Sequence, residues 1–363
     1  MASVKLENLT KAFGKKVQAV RGVNLDIADE QFVVFVGPSG CGKTTTLNLI
    51  AGLEQPTEGD VYIGGERVTD REPRDRNLGM VFQSLALFPH MTVFENIAFP
   101  LMIKKTPPDQ TRQRVEAVAN TVRIPHLLEK RPAHCSGGEA QRVALARTIV
   151  MNPAVFLMDE PLSSLDAKLR LEMRTEIKRL HESLRATFIY VTHDQAEAMT
   201  MADRVVVMRD GTIQQDAEPL EIYRNPVSLF VASFFGTPSM NFLEGELQAG
   251  EGGRMTFRSP NLQIPVAAPA ATAGERPGKV VLGIRPEHVL PRREGAQATI
   301  GLVEPLGDET ILYLDYGGEK PLVTKADSSV AWRTGDRIPF ALRAEAAFFF
   351  DPESGARLFR GNI

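Results

Sequence analysis

Cysteine is almost missing from the sequence: the 363-residue chain has two, Cys41 and Cys135. They lie in separate glycine-rich segments with neither a disulfide framework nor C-x-x-C spacing. That excludes a thiol-stapled or thiolate-metal fold and suits a reducing cytosol. Long apolar runs are missing too. No stretch approaches the roughly 18 apolar residues of a spanning helix, and the opening "MASVKLENLT" lacks the hydrophobic region of a secretory signal. Charge of one sign is also lacking: 42 basic side chains against 45 acidic ones leave a net −3, with both signs mixed along the chain. This excludes the electrostatic footprint of a nucleic-acid binder and a polybasic membrane anchor. The expectation is a chain that is soluble alone and has no nucleic-acid partner. Its length still exceeds the roughly 250 to 300 residues at which one core stops growing, so two domains are expected.

What is present alternates between strand and helix. "QFVVFVGPSGCGKTTTLNLIAGL" reads as an apolar strand, Phe32 to Val36, then a glycine-rich turn and a helix with Leu47, Ile50 and Leu53 on its apolar side. "AVFLMDEP" and "ATFIYVTHD" are two further apolar runs of strand length, each ending in polar residues. Between them Met173, Ile177, Leu180 and Leu184 recur at helical spacing. Such alternation predicts an α/β fold with a parallel sheet and a site along its carboxyl edge. From about Val93 to Val150 the pattern is mostly helical, with Val115, Val118 and Val122 on one face and prolines at Pro107, Pro108, Pro125 and Pro132, and it reads as a helical insert. A hairpin is expected at Asp210-Gly211, followed by one last helical stretch through "LEIYRNPVSLFVASFFG". From about Met240 the texture becomes β-rich ("RMTFRS", "KVVLGI", "ETILYLDYG", "RIPFAL", "AAFFF"), which predicts a small barrel or sandwich. "AAPAATAG", Ala267 to Gly274, is a brief low-complexity loop.

Several motifs carry chemistry. Gly37, Pro38, Ser39, Gly40, Cys41, Gly42, Lys43 and Thr44 fit G-x-x-x-x-G-K-[ST] between strand and helix. Glycines let backbone N–H groups curl around a β-phosphate, Lys43 reaches the β- and γ-phosphates, Thr44 ligates Mg²⁺, and the helix N-terminus adds partial positive charge. In "AVFLMDEP" an apolar strand ends at Asp159, placed for the metal, with Glu160 beside it to orient and deprotonate water. His193 ends the next strand on the same edge, within reach of a γ-phosphate. The remaining histidines, His90, His126, His134, His181 and His288, show no ligand spacing. A second glycine cluster, "SGGE", is a capping box in which Ser136 and Glu139 satisfy each other's amides. Capping alone does not explain Gly137 and Gly138, since each glycine in a helix costs about 0.8 to 1 kcal/mol relative to alanine. Bare glycines there suit an anion at very close approach, and as the phosphate loop already serves its own nucleotide, that anion is expected to belong to another copy.

Taken in order, Gly37 to Thr44, Gln83 in "MVFQSLALFPHMTV", "SGGEAQRVALAR", "FLMDEPLSSLD" and "VTHDQAEAM" resemble the nucleotide-binding subunit of ABC transporters over nearly all of the first 235 residues. "GTPSMNFLEGEL", "LGIRPEHV" and "VEPLGDETILYL" are similar to the C-terminal OB-like (TOBE) regulatory domain of maltose-importer-type ATPases. The resemblance implies an ABC cassette at 1–235, a RecA-like core with a helical subdomain over about 88–150, followed by an all-β OB-like domain at 236–363. It implies ATP and Mg²⁺ as cofactors, and a head-to-tail dimer with a second copy or close paralogue that sandwiches two ATP molecules. It also implies two integral-membrane permease subunits, an extracytoplasmic solute-binding protein acting indirectly, and a peripheral position on the cytoplasmic membrane face.

Residue by residue, the resemblance makes Glu160 the general base, His193 the switch and Lys43 the phosphate clamp. The nucleotide is held by Gly37 through Thr45, with Phe13 of "KAFGKK" stacked on adenine. Thr44, Gln83 and Asp159 hold the metal. Ser136, Gly137 and Gly138, with Glu139 beside them, cover the γ-phosphate of the other copy, and Asp166 forms the D-loop at the interface. The usual "LSGGQ" signature is "CSGGE" here, so Glu139 must fold back into its capping box or repel the nucleotide. The function implied is to energise a bacterial importer for a sugar, oligosaccharide or polyol. An importer for a polyamine, glycerol phosphate or metal-anion is the alternative, and a soluble ABC-type factor or a P-loop kinase or GTPase are the rivals.

Overall fold

The computed structural model describes residues 2–14, 17–249, 254–267 and 278–361. Two units divide the chain, Met1–Leu220 and Glu221–Ile363. Among the described residues of the first, strands and α-helices follow in the order β1 (Val4–Phe13), β2 (Val17–Ile27), β3 (Phe32–Val36), α1 (Lys43–Ala51), β4 (Glu58–Ile63), β5 (Glu66–Arg67), β6 (Leu78–Val81), α2 (Val93–Ile103), α3 (Pro108–Thr121), α4 (Gly137–Ile149), β7 (Val155–Asp159), α5 (Ala167–Leu184), β8 (Thr187–Thr192), α6 (Gln195–Met201), β9 (Arg204–Arg209) and β10 (Thr212–Ala217).

The central sheet runs β10-β9-β3-β8-β7-β6. Its pairs β9-β3, β3-β8, β8-β7 and β7-β6 are parallel, and β10 returns antiparallel through the Asp210-Gly211 turn expected from the sequence. Because β3 is flanked on both sides and covered on both faces, all five of its residues are buried, which is why it reads as an unbroken apolar run. Leu47 and Ile50 of α1 share a core with Val33, Phe35, Leu157 and Ile189. Leu53, expected on that same face, is exposed. Gly52 adopts a left-handed cap that ends the helix at Ala51, so Leu53 no longer follows the helical period.

A second sheet, β2-β1-β4-β5, was not anticipated from the sequence. β1 mixes Lys, Glu and Asn among its apolar residues and pairs through register shifts with both neighbours, which hides the two-residue alternation. Between β6 and β7 the chain is helical, as expected, with Val115 and Val122 buried and Pro107-Pro108 opening α3.

In the second unit α7 (Pro219–Arg224) and α8 (Leu229–Phe234) precede β11 (Asn241–Ala249), β12 (Arg254–Ser259), β13 (Leu262–Ala267), β14 (Lys279–Ile284), β15 (Val289–Pro305), β16 (Glu309–Asp315), β17 (Leu322–Asp327), β18 (Arg337–Leu342), β19 (Phe348–Phe350) and β20 (Arg357–Arg360). The single last helix read from the sequence is two. Pro226 supplies no amide to continue α7, and the Ser228 hydroxyl starts α8 afresh by accepting from the Val231 amide. Both helices fall largely within the second unit, upstream of the 235/236 boundary read from the sequence. Two antiparallel sheets, β13-β12-β11-β14-β19-β20 and β17-β16-β15-β18, enclose one core containing Leu243, Phe257, Leu282, Ile300, Leu312, Phe340 and Phe349. The low-complexity loop at Ala267–Gly274 lies, from residue 268 on, outside the described residues. Among the described residues no helix is long and apolar enough to cross a membrane.

Candidate nucleotide site

The parallel sheet delivers the ends of four strands to one edge. β3 opens into the glycine loop, β6 leads to Gln83, β7 ends at Asp159 with Glu160 next, and β8 ends just before His193. The loop is shaped by what cannot fit. A Cβ on Gly42, whose φ is +105°, would lie 2.3 Å from the Ala19 carbonyl oxygen, and one on Gly37 would lie 2.2 Å from that of Met208. Gly42 is also the N-cap of α1 and has no side chain to satisfy the first amides, which leaves that helix end free to receive an anion. Lys43 is buried, and its ammonium donates to the Gly37 carbonyl at 2.7 Å and the Pro38 carbonyl at 3.0 Å. Pro38, Ser39, Gly40 and Thr44 are exposed at the rim, and Thr45 is half-buried behind them. The Cys41 thiol is buried under the loop, and desolvation pushes its pKa up, so it packs as a neutral side chain.

The Thr44 hydroxyl donates to Asp159 Oδ1 at 2.9 Å. Burial is the main cause of a raised pKa at Asp159, opposed by the Thr44 hydrogen bond. A half-desolvated carboxylate in contact with a hydroxyl supplies hard oxygen donors where a cation would relieve the burial cost, so these residues fit Mg²⁺, which needs only one or two protein ligands when phosphates supply others. Glu160 stands beside it at φ +43°, a strained backbone for a non-glycine residue. That turn swings its carboxylate off the strand, so that His193 Nδ1–H donates to Oε2 at 3.0 Å. Gln83 Nε2 donates to Ser163 Oγ at 3.3 Å, and the Ser163 hydroxyl donates to the Glu160 carbonyl at 2.9 Å. Thus Lys43, Thr44, Asp159, Glu160, His193 and, through Ser163, Gln83 converge.

Other expected site residues keep local company. Phe13 is 44% exposed, with Lys11 Nζ over its ring at 4.9 Å. Ser136 caps α4, and the box is complete: the Ser136 amide donates to Glu139 Oε2 at 2.7 Å and the Glu139 amide to Ser136 Oγ at 3.4 Å. These bonds, the Ser136 amide first, hold the Glu139 carboxyl below its ordinary pKa. Asp166 caps α5, accepting from the Leu169 amide at 3.0 Å. Gly138 acquires a reason that sequence reasoning missed. A Cβ there would sit 2.6 Å from Leu169 Cδ1, so this glycine admits a side chain of its own chain. Gly137 is exposed, and a Cβ there would meet Leu165 Cδ2 at 3.3 Å and Leu169 Cδ2 at 4.0 Å. Ser163 was also missed. Nothing in its spacing distinguishes it from a loop serine.

An edge built this way can grip a polyphosphate, place a cation beside it and hold a carboxylate against a histidine where water would attack. That is the equipment of a P-loop nucleoside triphosphatase. The comparisons narrow it. A profile of the ABC transporter family matches residues 20–163, one of the MalK OB fold domain matches 236–289, and one of the TOBE domain matches 282–350. The sn-glycerol-3-phosphate import ATP-binding protein UgpC of Yersinia pseudotuberculosis is 45% identical over 99% of each chain. The osmoprotective compounds uptake ATP-binding protein GgtA of Synechocystis is 46% identical over 99% of this chain and 100% of its own. A dimeric bacterial ABC transporter cassette is 34% identical with a TM-score of 0.54, over 60% of this chain and 98% of its own. The same cassette with ADP and phosphate bound gives 0.53. The chain belongs to the ATP-binding proteins of ABC transporters. It is an ATPase with an ABC cassette followed by an OB/TOBE domain, and the kinase and GTPase readings fall.

Proposed function

We propose that this ATPase drives import of a sugar, oligosaccharide or polyol, working from the cytoplasmic membrane face as a head-to-tail homodimer attached to two permease subunits that receive solute from an extracytoplasmic binding protein. The observation that carries the solute class is full-length similarity to the oligosaccharides import ATP-binding protein MsmX of Bacillus subtilis, 44% identical over 99% of this chain. Glycerol phosphate is the second reading, favoured by the equally complete match to UgpC.

In this mechanism Phe13 stacks on adenine, and Gly37 to Thr45 with Lys43 hold the phosphates. Thr44, Asp159 and Gln83 would hold Mg²⁺, which when bound would offset the negative charge of the phosphates. Glu160 accepts the proton of the attacking water as its oxygen bonds to the γ-phosphorus and the bond to the β-phosphate oxygen breaks, giving ADP and phosphate. His193 orients Glu160 through its Nδ1–H, within reach of the γ-phosphate. Ser136, Gly137 and Gly138 cover that phosphate from the partner, while Glu139 stays in its capping box. Closure on ATP moves the permeases, and hydrolysis reopens the dimer.

Deleting the gene and measuring uptake of labelled maltose-type oligosaccharide, polyol and glycerol 3-phosphate tests the solute class. Loss of oligosaccharide or polyol uptake is expected. Loss of glycerol 3-phosphate uptake alone installs the second reading.

A further inference from the structure

The first turn of α5 touches two parts of the cassette that the dimer reading assigns to different nucleotides. Arg170 Nη2 donates to the Leu165 carbonyl at 2.9 Å, while Nη1 lies 3.6 Å from Asp194 Oδ2. Asp194 directly follows His193 and is tightly held. Its amide donates to Thr192 Oγ1 at 3.0 Å, and its Oδ1 accepts from the Ala196 amide at 2.7 Å and the Glu197 amide at 3.3 Å, capping α6. One guanidinium therefore spans from the loop after Glu160 to the turn that carries His193. On its other side the same loop leans on the signature helix. Leu169 fills the space a Cβ of Gly138 would take, and Leu165 does so less tightly at Gly137. Contact is continuous from Glu160 and His193 through Asp194, Arg170, Leu165 and Leu169 to Gly137 and Gly138.

We propose that Arg170 is a positioning residue that couples a protomer's own nucleotide edge to the signature glycines it offers to the nucleotide of its twin. The inference rests on the sandwich dimer of the proposed function. Its physical content is a planar fork that reaches two acceptors only while they keep their relative places. When the His193 turn moves, the fork must carry the Leu165 carbonyl with it or lose one arm. Leu165 and Leu169 then advance or retreat on glycines that have no side chain to absorb the motion. Occupancy at one site is thereby felt at the other, and reciprocally.

Steady-state hydrolysis by the purified full-length chain over a range of ATP concentrations tests this, with Glu160→Gln as reference. Arg170→Ala should lower kcat about tenfold, keep KM within about threefold and bring the Hill coefficient down to one. Arg170→Lys, a point charge able to reach one acceptor at a time, should fall between the two. Combined with Asp194→Asn, Arg170→Ala should cost no more than the larger single change, because both remove one connection. Should Arg170→Ala fail to fold, Arg170→Gln, which keeps a donor for Leu165 but no charge for Asp194, is expected to lose the same cooperativity. A parental Hill coefficient of one, or a folded Arg170 variant with kcat and Hill coefficient at parental values beside an inert Glu160→Gln, overturns the coupling and leaves the site reading intact. Parental turnover by Glu160→Gln overturns the site reading itself.

Discussion

The two units solve the same packing problem with opposite consequences for chemistry. In the cassette, parallel strands all point one way, so the residues after β3, β6, β7 and β8 arrive at a single edge, where polar side chains collect. In the second unit antiparallel neighbours reverse the chain at each step, and strand ends are shared between both ends of the sheets. The polar centres differ accordingly. The cassette edge tolerates a left-handed Glu160 and a desolvated Asp159 with a raised pKa. The second unit buries Arg285 among carbonyls: it donates to Phe235 and, at 2.9 Å, to Tyr223, and its guanidinium lies 3.9 Å from the Tyr223 ring centroid. The Tyr223 hydroxyl donates to Glu287 at 2.6 Å, and its pKa is pushed up to about 12 by burial and that bond. One polar centre is held in a strained form that suits a ligand, and in the other the two Nη atoms of Arg285 are bonded within the fold while its Nε has no partner among the described residues.

The largest expected effect lies on the cassette side. Glu160→Gln should lower turnover by about a thousandfold, within the usual range for losing a general base, and should trap an ATP-dependent dimer seen as doubled mass on size exclusion. Next comes a change confined to the other unit. Arg285→Met strands the carbonyls of Tyr223 and Phe235 and should cost about 3 kcal/mol, read in calorimetry as an earlier transition of the second unit while the first unit's transition stays in place.

A smaller effect sharpens the contrast between strain and satisfaction. The raised pKa of Asp159 means the folded chain holds its proton more tightly than the unfolded chain, so ionisation opposes folding once pH rises above the unfolded value near 3.8. Asp159→Asn should therefore melt a few degrees above the parent at neutral pH while losing Mg²⁺-supported hydrolysis. The gap should close as pH falls below about 3.8, where the aspartate is protonated in both states. The smallest effect concerns the signature. Since Glu139 is engaged with the Ser136 amide and glutamine can complete the same box, Glu139→Gln should leave turnover within about threefold. A change of about a hundredfold would show the carboxylate facing the nucleotide instead.

Much of the cassette was legible because its signals are local. A buried strand, a glycine loop and a helix are three consecutive stretches of sequence, and the S-x-x-E box is complete within four residues. In the second unit, β15 was not legible as a strand. β15 carries Pro291, Gly295 and Pro305 and pairs across an irregularity between Pro291 and Ala296, so it lacks both a continuous apolar run and a clean alternation. At the site, the glycine pair was read as serving a ligand alone, whereas Leu169, from a different helix, already accounts for Gly138.

By itself, the sequence determined the class of chemistry: a phosphate loop, a carboxylate pair at a strand end, a histidine at another, and a capped signature helix. Tertiary structure alone decided which of these touch. That Thr44 meets Asp159, that Glu160 meets His193 and that Gln83 reaches the same loop through Ser163 depends on strand order and on how far each strand runs before it ends. The physical reason is range. Caps and turns close hydrogen bonds over three or four residues, whereas these contacts join groups 33 to 115 residues apart, and only the packed sheet fixes their distance.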